Sequence, residues 1–307
     1  MNIFQKYLVD EFVEDYQEKR ISRREALKLI AAIAGSMVAA NSILAACAPL
    51  EPDASTATVE DVPTSAPSTQ LHGTVTADDP LIIASPVEFS NQVTNLLGYL
   101  SRPASGEPAP VILVCHENRG LTRHIEDVTR RLAKAGYVAL AVDLLSRQGG
   151  TSALDSGSVP GVLGTSPPEQ FVQDFLSGLG WLQDQDFALT ERVGMTGFCF
   201  GGGVTWQVAV HMPELKAAVP FYGPPPALTD IPSIQAPVLG IYGERDSRIT
   251  GSIPAIEQAM QQNNKVYSKI IYAGADHAFF NDTGSRYNAE AAQDAWSQLL
   301  AWFQQYV

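Results

Sequence analysis

The sequence predicts an α/β fold with a mostly parallel central sheet and helices on both faces. Short apolar runs alternate with segments whose apolar residues recur at helical spacing, from residue 82 to the end of the chain. One run, residues 110–115, is continuously apolar, as expected for a central parallel strand that is buried on both faces. With 307 residues, 45% of them hydrophobic, the chain can bury one large core.

The alternation places the elements in order along the chain. Two early strands, at residues 82–84 and 93–100, are expected to pair antiparallel at a sheet edge. A loop rich in Gly, Ser and Pro is predicted at residues 151–168. Further strands are predicted at residues 110–115, 137–142, 193–196, 217–222, 237–242 and 266–272, and helices at residues 125–133, 171–182, 204–210, 253–262 and 288–306.

Residues 1–47 predict an export signal. A polar start ends at the pair Arg23-Arg24, an uncharged alanine-rich segment follows at residues 29–46, and Cys47 closes it. This order resembles a bacterial twin-arginine signal joined to a lipobox, in which the cysteine becomes the lipidated first residue of the mature protein. We therefore expect a lipid anchor on Cys47 that holds the protein on the extracytoplasmic face of the cytoplasmic membrane, in the periplasm or at the cell surface.

Two alternatives for this segment remain open, which are a transmembrane anchor and export by the general route. Residues 29–46 have about the minimum spanning length, although Ser36, Asn41 and Ser42 weaken the anchor. Residues 48–70 are rich in Pro, Ser, Thr and Ala, a composition that builds no core, and they predict a flexible tether. The folded domain is then expected to span residues 71–307 as a monomer.

Charge and cysteine content exclude some classes of function. A net charge of -13 and a pI near 4.7 argue against a nucleic-acid-binding protein, whose contact face is basic. The three cysteines do not make a disulfide framework, and no Cys/His cluster has the spacing of metal ligands. We therefore expect neither a metal nor a cofactor, and we expect Cys115 to be a core thiol.

The turn at residues 197–201, with the sequence GFCFG, carries the candidate nucleophile Cys199. It lies between a predicted strand and a predicted helix, where G-x-C-x-G is the cysteine form of a nucleophile elbow. Gly197 and Gly201 stand where a sharp turn has no room for side chains. The helix N-terminus would favour the thiolate over the thiol. The alternative is a buried structural cysteine.

Asp246 and His277 follow later predicted strands, at residues 237–242 and 266–272. In an α/β fold with a nucleophile elbow, the chain order is nucleophile, acid, histidine, with the last two on loops after later strands. The alternatives are a turn aspartate for Asp246 and a surface or capping residue for His277. The order and placement predict a Cys-His-Asp triad at Cys199.

Six motifs follow one another between residues 95 and 307. They are GYLSRP at 98–103, HENRGL at 116–121, DLLSRQ at 143–148, GFCFGG at 197–202, GERD at 243–246 and GADHAF at 274–279. Together they resemble the dienelactone hydrolase (carboxymethylenebutenolidase) family of the α/β-hydrolase superfamily. The resemblance implies an α/β-hydrolase fold and attack of Cys199 on a lactone or ester carbonyl. It further implies that His277 takes and returns the proton and that Asp246 holds His277.

The resemblance also implies roles for four other residues. The backbone N–H groups of Asn118 and Phe200 would form the oxyanion hole. Glu117 would contact the thiol and help to ionise it when substrate arrives, whereas its alternative is a buried, salt-bridged carboxylate. Arg147 would grip a substrate carboxylate, for which its planar fork is suited, and the alternative is a solvated loop arginine.

One position departs from the family pattern. The family enzyme that acts on dienelactone has a second arginine four residues after the histidine, where this chain has Asn281, followed by Asp282. The change leaves Glu117 without its usual partner unless another arginine serves, and Arg286 is the nearest in sequence. We therefore expect this chain to prefer neutral or singly anchored substrates over dienelactone.

The sequence thus predicts a lipid-anchored hydrolase that cleaves a small-molecule ester or lactone through a thioester. Within enzymes, the alternative is an esterase or acyl transferase that acts on another acyl substrate. From a different class, the alternative is an extracytoplasmic binding lipoprotein that kept the fold and lost turnover. The intact order of the triad favours the hydrolase.

Overall fold

The computed structural model describes residues 1–46, 74–91 and 93–307. Its eight-stranded sheet has the order β1-β2-β4-β3-β5-β6-β7-β8. The pairs β1–β2 and β2–β4 are antiparallel and the later pairs are parallel, which confirms the predicted antiparallel edge. The strands are β1 (Ile82–Ser90), β2 (Asn95–Pro103), β3 (Ala109–Cys115), β4 (Val138–Asp143), β5 (Ala188–Phe198), β6 (Ala217–Phe221), β7 (Val238–Gly243) and β8 (Tyr267–Tyr272).

Helices pack around this sheet. The central strands β3, β4, β6 and β7 are buried at nearly every position, since both of their faces are covered. Cys115 is fully buried in β3, as expected of a core thiol. The helices of the domain are α4 (Arg123–Lys134), α5 (Val159–Thr165), α6 (Pro168–Gln183), α7 (Phe200–His211), α8 (Ser247–Thr250), α9 (Ile253–Gln262) and α10 (Ala289–Tyr306).

The short helix α5 lies inside residues 151–168, where the sequence analysis predicted a loop, so that prediction is wrong. Pro160 stands in the first turn of α5, where proline removes no intrahelical hydrogen bond. Val159 and Leu163 are buried, and this tertiary packing is what stabilises a segment whose Gly, Ser and Pro content is typical of loops.

Three helices precede the domain, α1 (Ile3–Gln17), α2 (Arg23–Ala34) and α3 (Met37–Ala46). Both α1 and α2 contact α5, and α1 also contacts α7. The sequence predicts that the folded part of the chain begins near residue 71, whereas the structure adds these three helices to it. No described helix is both long enough and apolar enough to cross a membrane. Cys47 and the predicted tether lie outside the described residues.

Helix α1 is amphipathic. At its start, the Asn2 side chain accepts a hydrogen bond from the Gln5 N–H at 2.8 Å, and the Gln5 side chain accepts one from the Asn2 N–H at 2.9 Å. Phe4, Leu8 and Phe12 recur every four residues on its buried face. The Phe4 ring packs against the rings of Phe171 and Phe200, with centroid distances of 5.5 and 4.8 Å.

Candidate active site

Cys199 lies at a sharp turn between β5 and α7. Its backbone has φ 58° and ψ -120°, a conformation that L-residues rarely adopt. A Cβ atom on Gly197 would lie 2.3 Å from the Gly201 carbonyl oxygen, and one on Gly201 would lie 2.4 Å from the His116 carbonyl oxygen. The turn therefore needs glycine on both sides of Cys199, as a nucleophile elbow does.

Asp246 and His277 meet beside the thiol. His277 Nδ1 donates a hydrogen bond to Asp246 Oδ2 at 2.6 Å, so its other ring nitrogen, Nε2, is the one available to Cys199. Nε2 and Cys199 Sγ lie within 4.8 Å of each other. Asp246 follows β7 and caps α8 by accepting a hydrogen bond from the Ile249 N–H at 3.3 Å. His277 follows β8, and both side chains are buried.

The environment shifts the pKa values of the two reacting groups. Burial, reinforced by the Glu11 carboxylate, raises the pKa of the Cys199 thiol, although His277 opposes this. Burial alone would lower the pKa of His277, but the Asp246 carboxylate outweighs it and raises that pKa, which makes Nε2 a stronger base. The sequence predicts that the helix N-terminus favours the thiolate, and this prediction is wrong for the arrangement seen here, because desolvation and the Glu11 carboxylate favour the thiol.

The two predicted oxyanion donors belong to different segments. Phe200 begins α7 and Asn118 lies in the loop after β3, where it lines the same cavity as Cys199. Within the described residues, the N–H groups of Asn118 and Phe200 donate to no protein acceptor. Both donors are therefore available to an oxygen that develops negative charge near the thiol.

Glu117 lines the cavity with Cys199 and has a partner that the sequence analysis did not identify. Asn281 Nδ2 donates a hydrogen bond to Glu117 Oε2 at 2.6 Å. Arg286, the arginine considered for this role, instead pairs with Asp15, whose Oδ1 lies 3.6 Å from Arg286 Nη1. An amide thus stands where the family enzyme places a second arginine.

Arg147 is already engaged by another protein group. Its Nη1 and Nη2 atoms donate to the two carboxylate oxygens of Asp174, each at 2.7 Å. Asp174 is fully buried on α6. Arg147 is therefore not a solvated loop arginine, and its planar fork already holds a carboxylate of the chain itself. The arginines that line the cavity at Cys199 are Arg119 and Arg286.

Helix α1 covers the triad. The Tyr7 hydroxyl donates a hydrogen bond to Cys199 Sγ at 3.2 Å, and its oxygen lies 3.3 Å from His277 Nε2. Both Glu11 carboxylate oxygens lie 3.7 Å from Cys199 Sγ. Glu11 Oε1 also lies 3.9 Å from His277 Nε2. The first helix therefore supplies two polar side chains that contact Cys199 and His277.

Ion pairs hold α1 in this position. Arg248 Nε lies 3.2 Å from Glu14 Oε2, and its guanidinium stacks over the Tyr7 ring at 4.5 Å from the centroid. Arg286 pairs with Asp15 on the other side. The cavity left at the thiol has a volume of about 180 Å³, which is smaller than most small-molecule sites.

Sequence reasoning missed Tyr7 and Glu11, because residues 1–28 were treated only as the polar start of an export signal. The sequence does contain a helical pattern here. Phe4, Leu8 and Phe12 stand at i, i+4 and i+8, and Tyr7 and Glu11 lie beside this apolar row with the same spacing of four residues. The pattern predicts an amphipathic helix that needs a surface to cover, although it does not tell which surface.

Comparison with known proteins agrees with the fold. The sequence model of the Dienelactone hydrolase family matches residues 96–307. A relative from Methylorubrum extorquens, provisionally named a carboxymethylenebutenolidase, is 38% identical over 246 residues, which cover 76% of this chain and 84% of the relative. One of the same provisional name from Escherichia coli K12 is 35% identical over 248 residues, which cover 76% of this chain and 90% of the relative.

A crystal structure from Klebsiella pneumoniae, provisionally named a dienelactone hydrolase, is similar with a TM-score of 0.69 at 34% identity. The match covers 73% of this chain and 99% of that chain. With the strand order and the elbow described above, these matches show that the chain is a hydrolase and belongs to the dienelactone hydrolase family of the α/β-hydrolase superfamily.

Proposed function

We propose that the chain hydrolyses a small ester or lactone with Cys199 as the nucleophile and a thioester as the intermediate. The observation that supports this most is the 2.6 Å hydrogen bond from His277 Nδ1 to Asp246, which leaves Nε2 for the thiol on the elbow. Ester hydrolysis is the chemistry shared by the matched family. The nucleophile and the intermediate are our inference from the geometry.

In the first half of the reaction, His277 Nε2 takes the proton from the Cys199 thiol, and the sulfur attacks the substrate carbonyl carbon. The carbonyl oxygen becomes an oxyanion and accepts hydrogen bonds from the N–H groups of Asn118 and Phe200. Asp246 stabilises the imidazolium that forms. When the tetrahedral intermediate collapses, the C–O bond breaks and the leaving alkoxide takes the proton from His277 Nε2.

In the second half, His277 removes a proton from a water molecule, and the hydroxide oxygen attacks the thioester carbonyl. Collapse breaks the C–S bond, returns the proton to sulfur and releases the acid. With a lactone, the alcohol and the acid are two ends of one product. Because no group other than water is consumed, the residues described suffice for this cycle.

Substrate cannot reach the thiol in the arrangement seen here. A reacting carbonyl carbon must approach sulfur to about 3–3.5 Å, and the Tyr7 hydroxyl already lies 3.2 Å from Sγ. Turnover therefore requires α1 to move away from Cys199. The export proposal supplies one route, because removal of the segment before Cys47 would take α1, α2 and α3 with it.

We also propose that the chain is exported and lipid-anchored through Cys47. The support is in the sequence alone, namely the order of Arg23-Arg24, the apolar segment and Cys47. Cys47→Ala should block lipid attachment and signal removal, and Arg23→Lys with Arg24→Lys should leave precursor in the cytoplasm. Normal membrane-bound mature protein after the double lysine change would exclude the twin-arginine route and leave the lipobox.

The direct test of the catalytic proposal is an activity assay on two esters. Purified protein should hydrolyse p-nitrophenyl acetate, and Cys199→Ala should abolish that activity. Dienelactone in the same assay tests the substrate, since Asn281 occupies the position of the second arginine and should disfavour it. Binding of esters without turnover by the wild type would favour the alternative, a binding lipoprotein that kept the fold.

A further inference from the structure

The junction between α1 and the triad brings three side chains of metal-ligand type together. They are Glu11 on α1, Cys199 at the elbow and His277 after β8, and all three are buried. One ligand atom from each lies within 4.8 Å of the other two. Thiolate, imidazole and carboxylate are the ligands that proteins use for Zn²⁺.

The distances suit a tetrahedral ion. Zn²⁺ bonds of about 2.0–2.3 Å to O, N and S place neighbouring ligand atoms about 3.3–3.6 Å apart. Glu11 oxygens lie 3.7 Å from Cys199 Sγ and 3.9 Å from His277 Nε2, and Sγ and Nε2 lie within 4.8 Å of each other, so side-chain shifts of up to about 1 Å close the site. The Tyr7 hydroxyl lies 3.2 Å from Sγ and 3.3 Å from Nε2, which is close to the spacing expected of a fourth ligand.

The hydrogen-bond partner of His277 and the charge of the ligands are also typical of a zinc site. Metal-binding histidines commonly donate their second ring N–H to a carboxylate, which fixes the tautomer. Here His277 Nδ1 donates to Asp246 Oδ2 at 2.6 Å, and Nε2, 3.9 Å from Glu11 Oε1, is the ring nitrogen left to bind the ion. The carboxylate and the thiolate together supply two negative charges, which would balance a divalent cation in this buried place.

We propose that Glu11, Cys199 and His277 form a Zn²⁺ site that locks α1 onto the triad. Binding releases the thiol proton to solvent and forms Zn–S, Zn–N and Zn–O bonds. The ion then occupies both the nucleophile and the base, so the site inhibits the chain. Cys199 and His277 lie within the family domain, whereas Glu11 lies outside it on α1. The site therefore exists only while α1 covers the triad.

The test uses the full chain of 307 residues and adds Co²⁺ as a spectroscopic substitute for Zn²⁺. Wild type should show a thiolate-to-cobalt charge-transfer band that Zn²⁺ removes by competition. Cys199→Ser should lack that band. Glu11→Gln should bind Zn²⁺ at least about tenfold more weakly, because even the loss of an outer hydrogen-bond partner costs about 10–100-fold. Asp10→Asn removes the same charge from the exposed face of α1 and should bind like wild type.

Equal Zn²⁺ affinity in Glu11→Gln and wild type would overturn the proposal, as would the absence of the cobalt band in wild type. A second measurement covers the case in which the Glu11 variants do not fold. Zn²⁺ should slow tryptic cleavage after Lys19 and Arg20 in wild type and should not do so in Cys199→Ser. Equal cleavage with and without Zn²⁺ in wild type would also overturn it. None of these measurements depends on ester turnover, so they stand apart from the proposed reaction.

Discussion

The Tyr7 hydroxyl donates a hydrogen bond to Cys199 Sγ at 3.2 Å, although the two residues are 192 positions apart in sequence. The same oxygen lies 3.3 Å from His277 Nε2. It therefore contacts both the proposed nucleophile and the proposed base. A side chain near the N-terminus thus decides whether the triad can be reached.

Removal of the Tyr7 side chain should activate the full chain. Tyr7→Ala removes the obstructing hydroxyl and the ring on which Arg248 stacks, so α1 should leave the triad more often. A hydrogen bond contributes about 0.5–1.5 kcal/mol, and we expect kcat/KM for p-nitrophenyl acetate to rise up to about tenfold. Tyr7→Phe keeps the ring and should give a smaller increase. A fall in kcat/KM for both variants would mean that Tyr7 assists the reaction.

Neutralising Glu11 should make the nucleophile more reactive. The Glu11 carboxylate lies 3.7 Å from the sulfur and raises the pKa of the Cys199 thiol, so Glu11→Gln should lower that pKa. At neutral pH, the variant should then be alkylated by iodoacetamide severalfold faster than wild type. Mass spectrometry of the labelled peptides measures this.

Cys115 supplies an internal reference in that experiment. It is fully buried in β3 and burial holds its pKa well above the ordinary value, so its labelling should stay slow in both proteins. Faster labelling of both cysteines would indicate that Glu11→Gln loosens the whole domain. An unchanged labelling rate of Cys199 would show that the Glu11 carboxylate does not control the reactivity of the Cys199 thiol.

Arg147→Ala should destabilise the fold without changing substrate preference. The substitution leaves the carboxylate of Asp174 buried without its partner, which costs about 3–5 kcal/mol when such a pair is fully buried. Because a quarter of the Arg147 side chain is exposed, we expect about 3 kcal/mol from chemical denaturation. KM for acidic and neutral esters should change alike. A rise in KM for acidic esters alone would restore Arg147 as a substrate-binding residue.

Asp282→Asn should lose stability in a way that depends on pH. Burial alone would raise the pKa of Asp282, but hydrogen bonds from His124 and Arg131 lower it to about 2. In the unfolded chain an aspartate has a pKa of about 3.9, so the ionised carboxylate stabilises the fold above that pH. We expect the variant to lose about 2–3 kcal/mol at pH 7.

The deficit of Asp282→Asn should shrink as pH falls from about 4 towards about 2, because the wild-type carboxylate takes up its proton through that range. Urea unfolding of both proteins at several pH values measures it. A deficit of constant size across this range would show that packing, and not the charge of Asp282, is what the substitution removes.

The sheet could be predicted from the sequence because local patterns, such as apolar runs and glycine spacing, mark its strands and turns. The continuous apolar run in β3 and the glycine spacing around Cys199 each reflect a local requirement, namely burial on both faces and a turn without room for Cβ atoms. Asp246 and His277 could be placed because loops that follow parallel strands meet at one sheet edge.

The partners of side chains could not be predicted in the same way. The pairing of Arg147 with Asp174 and of Glu117 with Asn281 depends on distances between segments that the sequence does not specify. The covering of the triad by Tyr7 and Glu11 likewise depends on where an amphipathic helix docks. Local patterns predict which residues are buried or form a turn. They do not predict which residues distant in sequence will contact them.

Tyr7 and Glu11 lie outside residues 96–307, the part of the chain that the family model matches. The chemistry of the triad and access to it are therefore encoded in separate stretches of sequence, which can change independently of each other. Two proteins with the same triad would differ in activity if only one of them carried a covering helix like α1. A comparison of the family domain alone would not reveal that difference. For this chain, an assay of residues 96–307 alone would measure the triad without the helix α1 that covers it.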